Sequence, residues 1–76
     1  MELKDFIQNF AEQFDETDIS EFKADTPFRS IEEWSSLVAL SIIAMVDDEY
    51  GVQIKADDIR GSVTIEDLYN KVKARV

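Results

Sequence analysis

A chain of 76 residues without Cys or His has room for one small core and lacks the side chains that most zinc sites and catalytic bases require. We therefore predict a single domain spanning residues 1–76 that is not an enzyme, because no histidine is present to activate a nucleophile. The formal net charge of −9 disfavours nucleic acid and favours partners with basic surfaces.

The polar N-terminus does not resemble a secretory signal, and the apolar run at residues 37–46 is shorter than the ~20 residues of a membrane span. We expect a soluble, cytoplasmic monomer with no membrane span.

The first predicted element is an amphipathic helix from residue 2 to about residue 16. Apolar residues recur there at the spacing of one helix face: Leu3, Phe6, Ile7, Phe10, Ala11 and Phe14. The periodicity then fails over residues 17–34, which include the only Pro of the chain, Pro27. This indicates a long loop, held in place by its own apolar residues. We interpret Trp34 as an anchor of this loop rather than a binding residue.

The next element is a helix from Ser35 or Ser36 to Tyr50 that is apolar on almost every side. Such a pattern predicts the central, most buried helix of the domain. Gly51 suits the left-handed position that often follows a helix C-terminus.

Two shorter helical segments follow the connector "GVQIK". Asp57 is predicted to cap a single turn in "DDIRG", and Thr64 to begin a last helix with Asp67 in a capping box. The apolar stripe of that last helix is Ile65, Leu68, Tyr69, Val72 and Val76. The predicted fold is all-α, a small four-helix bundle of three long helices and a short third one, with a long loop between helices one and two.

Acidic residues cluster at positions 47–49 and 57–58. They lack the glycine and the ligand spacing of a calcium loop, so we interpret them as solvated surface and predict no metal site.

Two adjacent serines precede the apolar helix. If Ser35 caps the helix, Ser36 becomes its first residue, with a free hydroxyl where the helix dipole favours an attached phosphate ester. The alternative is that both serines are ordinary residues of a helix N-terminus.

The run "FRSIEEWSSLVALSIIAMVDDEYGVQI" resembles the core of acyl carrier proteins, whose modified serine lies in an Asp-Ser-Leu motif at the start of the second helix. The likeness continues through "DDIRG" and "TIEDLYNKV" and covers nearly the whole chain. It implies that Ser36 carries a 4′-phosphopantetheine arm, which a phosphopantetheinyl transferase attaches from coenzyme A. It also implies that the protein shuttles acyl groups as thioesters between enzymes of fatty acid, polyketide or related lipid synthesis.

The chain departs from the family pattern in two places. Ser35 replaces the usual Asp, which the resemblance implies helps the transferase to recognise the site. Val38, Ala39 and Ser41 stand where carriers of fatty acid synthesis tend to have acids. We therefore expect a partner surface that is apolar near the serine and charged at its far end: Leu37, Val38, Ser41, Asp47 and Asp48.

Two other functions remain open: an acidic interaction module without the prosthetic group, and a carrier of aminoacyl units. The apolar interior also has two interpretations, a shelter for an acyl chain between helices or an ordinary close-packed core. The residues in question are Leu37, Leu40, Ile42, Ile43, Met45, Val46, Ile54 and Ile59.

Overall fold

Four α-helices form the framework of the protein, whose computed structural model describes all of residues 1–76. They are α1 (Leu3–Ala11), α2 (Ser36–Tyr50), α3 (Ala56–Arg60) and α4 (Ile65–Lys73). Two short 3-10 helices, Ile19–Glu21 and Phe28–Ser30, lie in the loop between α1 and α2. The predicted all-α bundle with a short third helix and a long first loop is confirmed. No helix has the length and apolar character needed to cross a bilayer.

The core is built from the apolar stripes of the helices and from the first loop. The apolar side chains with no exposed surface come from α1, α2, α4 and the loop: Phe6, Phe10, Ile42, Val46, Ile65, Leu68, Val72 and Phe28. The predicted stripe of α4 is buried except at Val76, which is 73% exposed. The inclusion of Val76 was wrong because α4 ends at Lys73.

Helix α1 ends at Ala11, well before the predicted end near residue 16. The N–H of Phe14 donates to the carbonyl of Ala11 at 3.0 Å, a tighter turn than the α-helical one. The next N–H groups, of Asp15 and Glu16, donate to the carboxylate of Glu33 at 2.6 and 3.0 Å. These N–H groups therefore bond to a side chain distant in the sequence instead of to the carbonyls of a longer α1. Phe14 is nevertheless buried.

The first loop is pinned at both of its faces. On one side Phe28 packs against Phe10 of α1 and Trp34 against Phe14, with ring centroids 5.4 and 6.3 Å apart, which agrees with the interpretation of Trp34 as a loop anchor. On the other side the N–H of Ile65 donates to the carbonyl of Thr26 at 3.2 Å, and the N–H of Glu66 to that of Ala24 at 3.0 Å. The loop therefore has a defined path to the start of α2.

Helix α2 follows its predicted bounds, and Gly51 has the left-handed φ of 66°. The expectation that α2 is the most buried helix was wrong on one face, where Leu37 is 76% and Leu40 61% exposed. The other helices cover only the face that carries Val38, Ile42, Met45 and Val46, so apolar residues on the opposite side meet solvent.

Helix α3 is capped differently from the prediction. Its N-terminal neighbour is Lys55, whose N–H donates to the carboxylate of Asp58 at 2.9 Å. Asp57 lies exposed in the first turn and pairs with Arg60. In α4 the predicted capping box is confirmed, since Thr64 Oγ1 accepts from the N–H of Asp67 at 3.1 Å.

Candidate functional site

The serine pair occupies two different positions at the start of α2. Ser35 has extended backbone angles, and its Oγ accepts a hydrogen bond from the N–H of Val38 at 3.3 Å. Ser35 is thus the N-cap, and Ser36 is the first helical residue, with an exposed side chain. This is the arrangement that leaves the Ser36 hydroxyl available for modification.

The electrostatic surroundings of Ser36 favour an anionic substituent. The first turn of α2 contains no acidic side chain, so the partial positive charge of the helix N-terminus is not neutralised locally. Ser41 differs, because its hydroxyl donates to the carbonyl of Leu37 at 3.1 Å and is used within the helix.

A groove of about 520 Å³ runs beside Ser36, between α2, α3 and the end of the first loop. Trp34, Ala39, Leu40, Ile43 and Ile59 make most of it apolar, and Arg29 and Arg60 also line it. We call it the arm groove. It opens directly next to both serines, which belong to its lining.

Only some of the apolar residues that were predicted to line the interior lie in the arm groove. Leu40, Ile43 and Ile59 line it, whereas Leu37 projects into solvent. The rest, Ile42, Met45, Val46 and Ile54, are buried in the core. The apolar residues are thus divided between a close-packed interior and an open groove at the surface.

The residues predicted to meet partners are also divided. Leu37, Asp47 and Asp48 are exposed, and Ser41 is half-buried. Val38 is only 9% exposed and packs into the core, so it offers little surface to a partner. Leu40, predicted among the interior apolar residues, is 61% exposed and lies on the same face of α2 as Leu37.

The segment that leads into the site is held by Glu33. Its Oε1 accepts from the hydroxyl of Thr17 at 2.7 Å and from the N–H of Glu16, while its Oε2 accepts from the N–H of Asp15. The hydrogen bond from Thr17, followed by those from backbone N–H groups, lowers the pKa of Glu33 below its ordinary value. Sequence reasoning missed Glu33 and Arg29, because nothing in the local pattern links them to the start of α2.

A family model described as a phosphopantetheine attachment site matches residues 5–72. The chain belongs to this family. Searches of curated proteins and of solved structures find no significant match. The carrier protein is therefore of the kind that holds 4′-phosphopantetheine covalently, and it is not itself an enzyme. Carriers of this kind interact with a phosphopantetheinyl transferase and with acyl-processing enzymes.

The residues present fit such a group. An exposed hydroxyl at the first position of a 15-residue helix offers an attachment atom and a favourable field for a phosphodiester. The arm groove begins at the same residue and is largely apolar, which suits the uncharged remainder of the arm.

Proposed function

We propose that Ser36 is the attachment serine and that the single domain of residues 1–76 carries acyl groups as thioesters on its arm. We propose further that it shuttles them between enzymes of fatty acid, polyketide or related lipid synthesis in the cytoplasm. The supporting observation is the placement of Ser36, exposed at the first helical position with Ser35 as its cap. The arm supplies the thiol, and the chain holds the phosphodiester end.

The attachment step is performed by the transferase. The Ser36 oxygen forms the new P–O bond, the phosphoanhydride bond of coenzyme A breaks, and adenosine 3′,5′-bisphosphate leaves. The hydroxyl proton passes to the transferase or to solvent, because the chain has no His to receive it. The Ser36 side chain is exposed at the first helical position, which leaves its hydroxyl open to the transferase.

The surface that presents Ser36 to partners is the exposed face of α2, which we call the docking surface: Leu37, Leu40, Ser41, Asp47 and Asp48. At a rise of 1.5 Å per residue, the acids lie about 17 Å along the helix from Ser36. Apolar contact near the serine and acidic steering farther away suit a monomer that meets basic enzymes rapidly and weakly.

The direct test is intact mass after incubation with coenzyme A and a broad-specificity phosphopantetheinyl transferase. We expect the wild type and Ser35→Ala to gain one phosphopantetheine, and Ser36→Ala to gain none. Ser30→Ala is the matched control, because it removes an exposed hydroxyl outside the docking surface and should still be modified. A gain that persists in Ser36→Ala would contradict the assignment.

The second candidate function is an acidic interaction module without the arm. The neutral Ser35, in place of the Asp usual in carriers, favours it, since that acid helps transferases in the family the chain resembles. Absence of any mass gain with several transferases would support this candidate. An aminoacyl cargo is the other alternative, and the mass of the cargo on the purified native protein distinguishes it from an acyl cargo.

A further inference from the structure

Two cations of this acidic chain line the groove where the arm would begin. The chain has 8 Lys and Arg residues against 17 acids, yet two arginines, Arg29 and Arg60, line the arm groove beside Ser36. Arg60 pairs with Asp57. The other salt bridge of the chain joins Arg75 to Asp58, so Arg29 has no carboxylate partner.

We propose that the guanidinium of Arg29 binds the phosphodiester of the arm on Ser36 and directs the arm into the groove. The inference rests on the proposed attachment at Ser36. Arg29 is a positioning residue here, since it holds the group and takes no part in acyl transfer.

The backbone that carries Arg29 is firmly placed. Its 3-10 helix, Phe28–Ser30, is anchored by Phe28, which is fully buried and whose ring lies 5.1 Å from that of Trp34. The N–H of Ile31 closes the turn on the carbonyl of Phe28 at 3.2 Å. Arg29 is itself exposed, so a fixed backbone presents a long, mobile cation to the groove.

The chemistry of the two groups is complementary. A guanidinium donates two parallel hydrogen bonds to phosphate oxygens and remains charged at every physiological pH. The N-terminus of α2, whose first turn holds no acidic side chain, adds its partial positive charge at the residue that would carry the phosphate. A phosphodiester on Ser36 therefore has a cationic side chain and a helix N-terminus as neighbours.

The absence of charge on Ser35 favours contact between Arg29 and the phosphodiester. Ser35 lines the same groove, where a carboxylate at its position would compete with the phosphodiester for Arg29. With a serine as the cap, the N–H of Val38 still has an acceptor, and Arg29 is left for the arm. The departure from the family's Asp at this position thus has a physical consequence within the chain.

The test compares apo and phosphopantetheine-loaded protein by NMR after mass spectrometry has established loading. In the wild type we expect loading to shift the Arg29 Nε–H resonance and the amides of Ala39 and Ile43. In Arg29→Gln the shifts at Ala39 and Ile43 should fall by about half or more, and the ³¹P resonance should move toward that of free phosphopantetheine. Arg29→Lys should be intermediate, because Lys offers a point charge without the two-pronged geometry.

Lys23→Gln is the matched control, since Lys23 is an exposed cation of the same loop that does not line the groove. It should leave the loaded spectra close to those of the wild type. If the loaded Arg29→Gln protein gives the same spectra as the loaded wild type, the inference is overturned and the proposed function stands. A slower loading of the variant does not change this conclusion, because it would reflect a lost contact with the transferase. Protein that takes up no phosphopantetheine would overturn both.

Discussion

Asp58 and Arg75 form a two-pronged ion pair that joins α3 to the end of α4. The two guanidinium nitrogens donate to the two carboxylate oxygens at 2.9 and 2.6 Å. The same carboxylate accepts the N–H of Lys55, while the carbonyl of Asp58 accepts from Lys71 Nζ at 3.0 Å. Because α3 supplies Ala56, Ile59 and Arg60 to the arm groove, this one residue holds a wall of the groove in place.

Replacing Asp58 should make the free energy of unfolding less dependent on pH in the acid range. Hydrogen bonds from Arg75 and then from Lys55 lower the pKa of Asp58 from 3.8 to about 2. A carboxyl with a lowered pKa in the folded state stabilises above its ordinary pKa, and this contribution disappears as the pH falls from 3.8 towards 2. Asp58→Asn should lose about 1 kcal/mol at neutral pH, a modest value because Arg75 is partly exposed.

Urea unfolding of wild type and Asp58→Asn at neutral pH and at several values between pH 4 and 2 measures this difference. The matched control is Asp57→Asn, whose pair with Arg60 is exposed on both sides and should contribute little. A wild-type advantage over Asp58→Asn that stays constant down to the lowest pH would show that the charge of Asp58 is not its source.

Substitutions of the two adjacent serines should have different effects on the free energy of unfolding. Ser35→Ala removes the oxygen that accepts from the N–H of Val38 and should cost about 1 kcal/mol of unfolding free energy. Ser36→Ala changes an exposed first-turn residue and should stay within about 0.5 kcal/mol of the wild type. Chemical denaturation of the two variants checks this, and equal losses would argue against Ser35 as the cap.

Glu33→Gln should loosen the turn after α1. Glutamine has one oxygen acceptor, whereas the carboxylate accepts hydrogen bonds from the N–H groups of Asp15 and Glu16 and from the hydroxyl of Thr17. Hydrogen exchange at the amides of residues 15 and 16 should become severalfold faster. Because the pKa of Glu33 is lowered, the wild type should keep this protection somewhat below pH 4.5 and lose it on further acidification.

Glu32→Gln serves as the control for that experiment, since the side chain of Glu32 is exposed and accepts none of these hydrogen bonds. Unchanged exchange in Glu33→Gln would mean that the turn is ordered by Phe14 and its aromatic neighbours alone.

Leu37→Ser should affect partner enzymes and leave the fold intact. The side chain is 76% exposed, so the substitution should change stability by no more than about 0.5 kcal/mol. Loss of an apolar contact beside Ser36 should lower the rate at which the transferase modifies the carrier. Ile42→Ala, at a fully buried position of the same helix, should instead cost about 2–5 kcal/mol. A normal modification rate for Leu37→Ser would remove Leu37 from the docking surface.

Features that depend on a few neighbouring residues followed from the sequence. The cap at Ser35, the left-handed Gly51 and the Thr64 capping box are local hydrogen-bonding or steric arrangements, and they placed both ends of α2 and the start of α4 correctly. The apolar spacing identified the core faces of α1 and α4 for the same reason, since helical periodicity determines which residues share a side.

The sequence by itself determined the helix order, the two well-capped helices and the serine that heads α2, because short-range chemistry specifies each of them. Only the tertiary structure decided where α1 ends, which face of α2 remains exposed and which cation lies beside Ser36. The end of α1 depends on Glu33, 18 residues from Asp15. The groove depends on the packing of α3 by Asp58 and Arg75, 17 residues apart. Contacts across such separations arise from the folded path of the loop, and no local pattern encodes them.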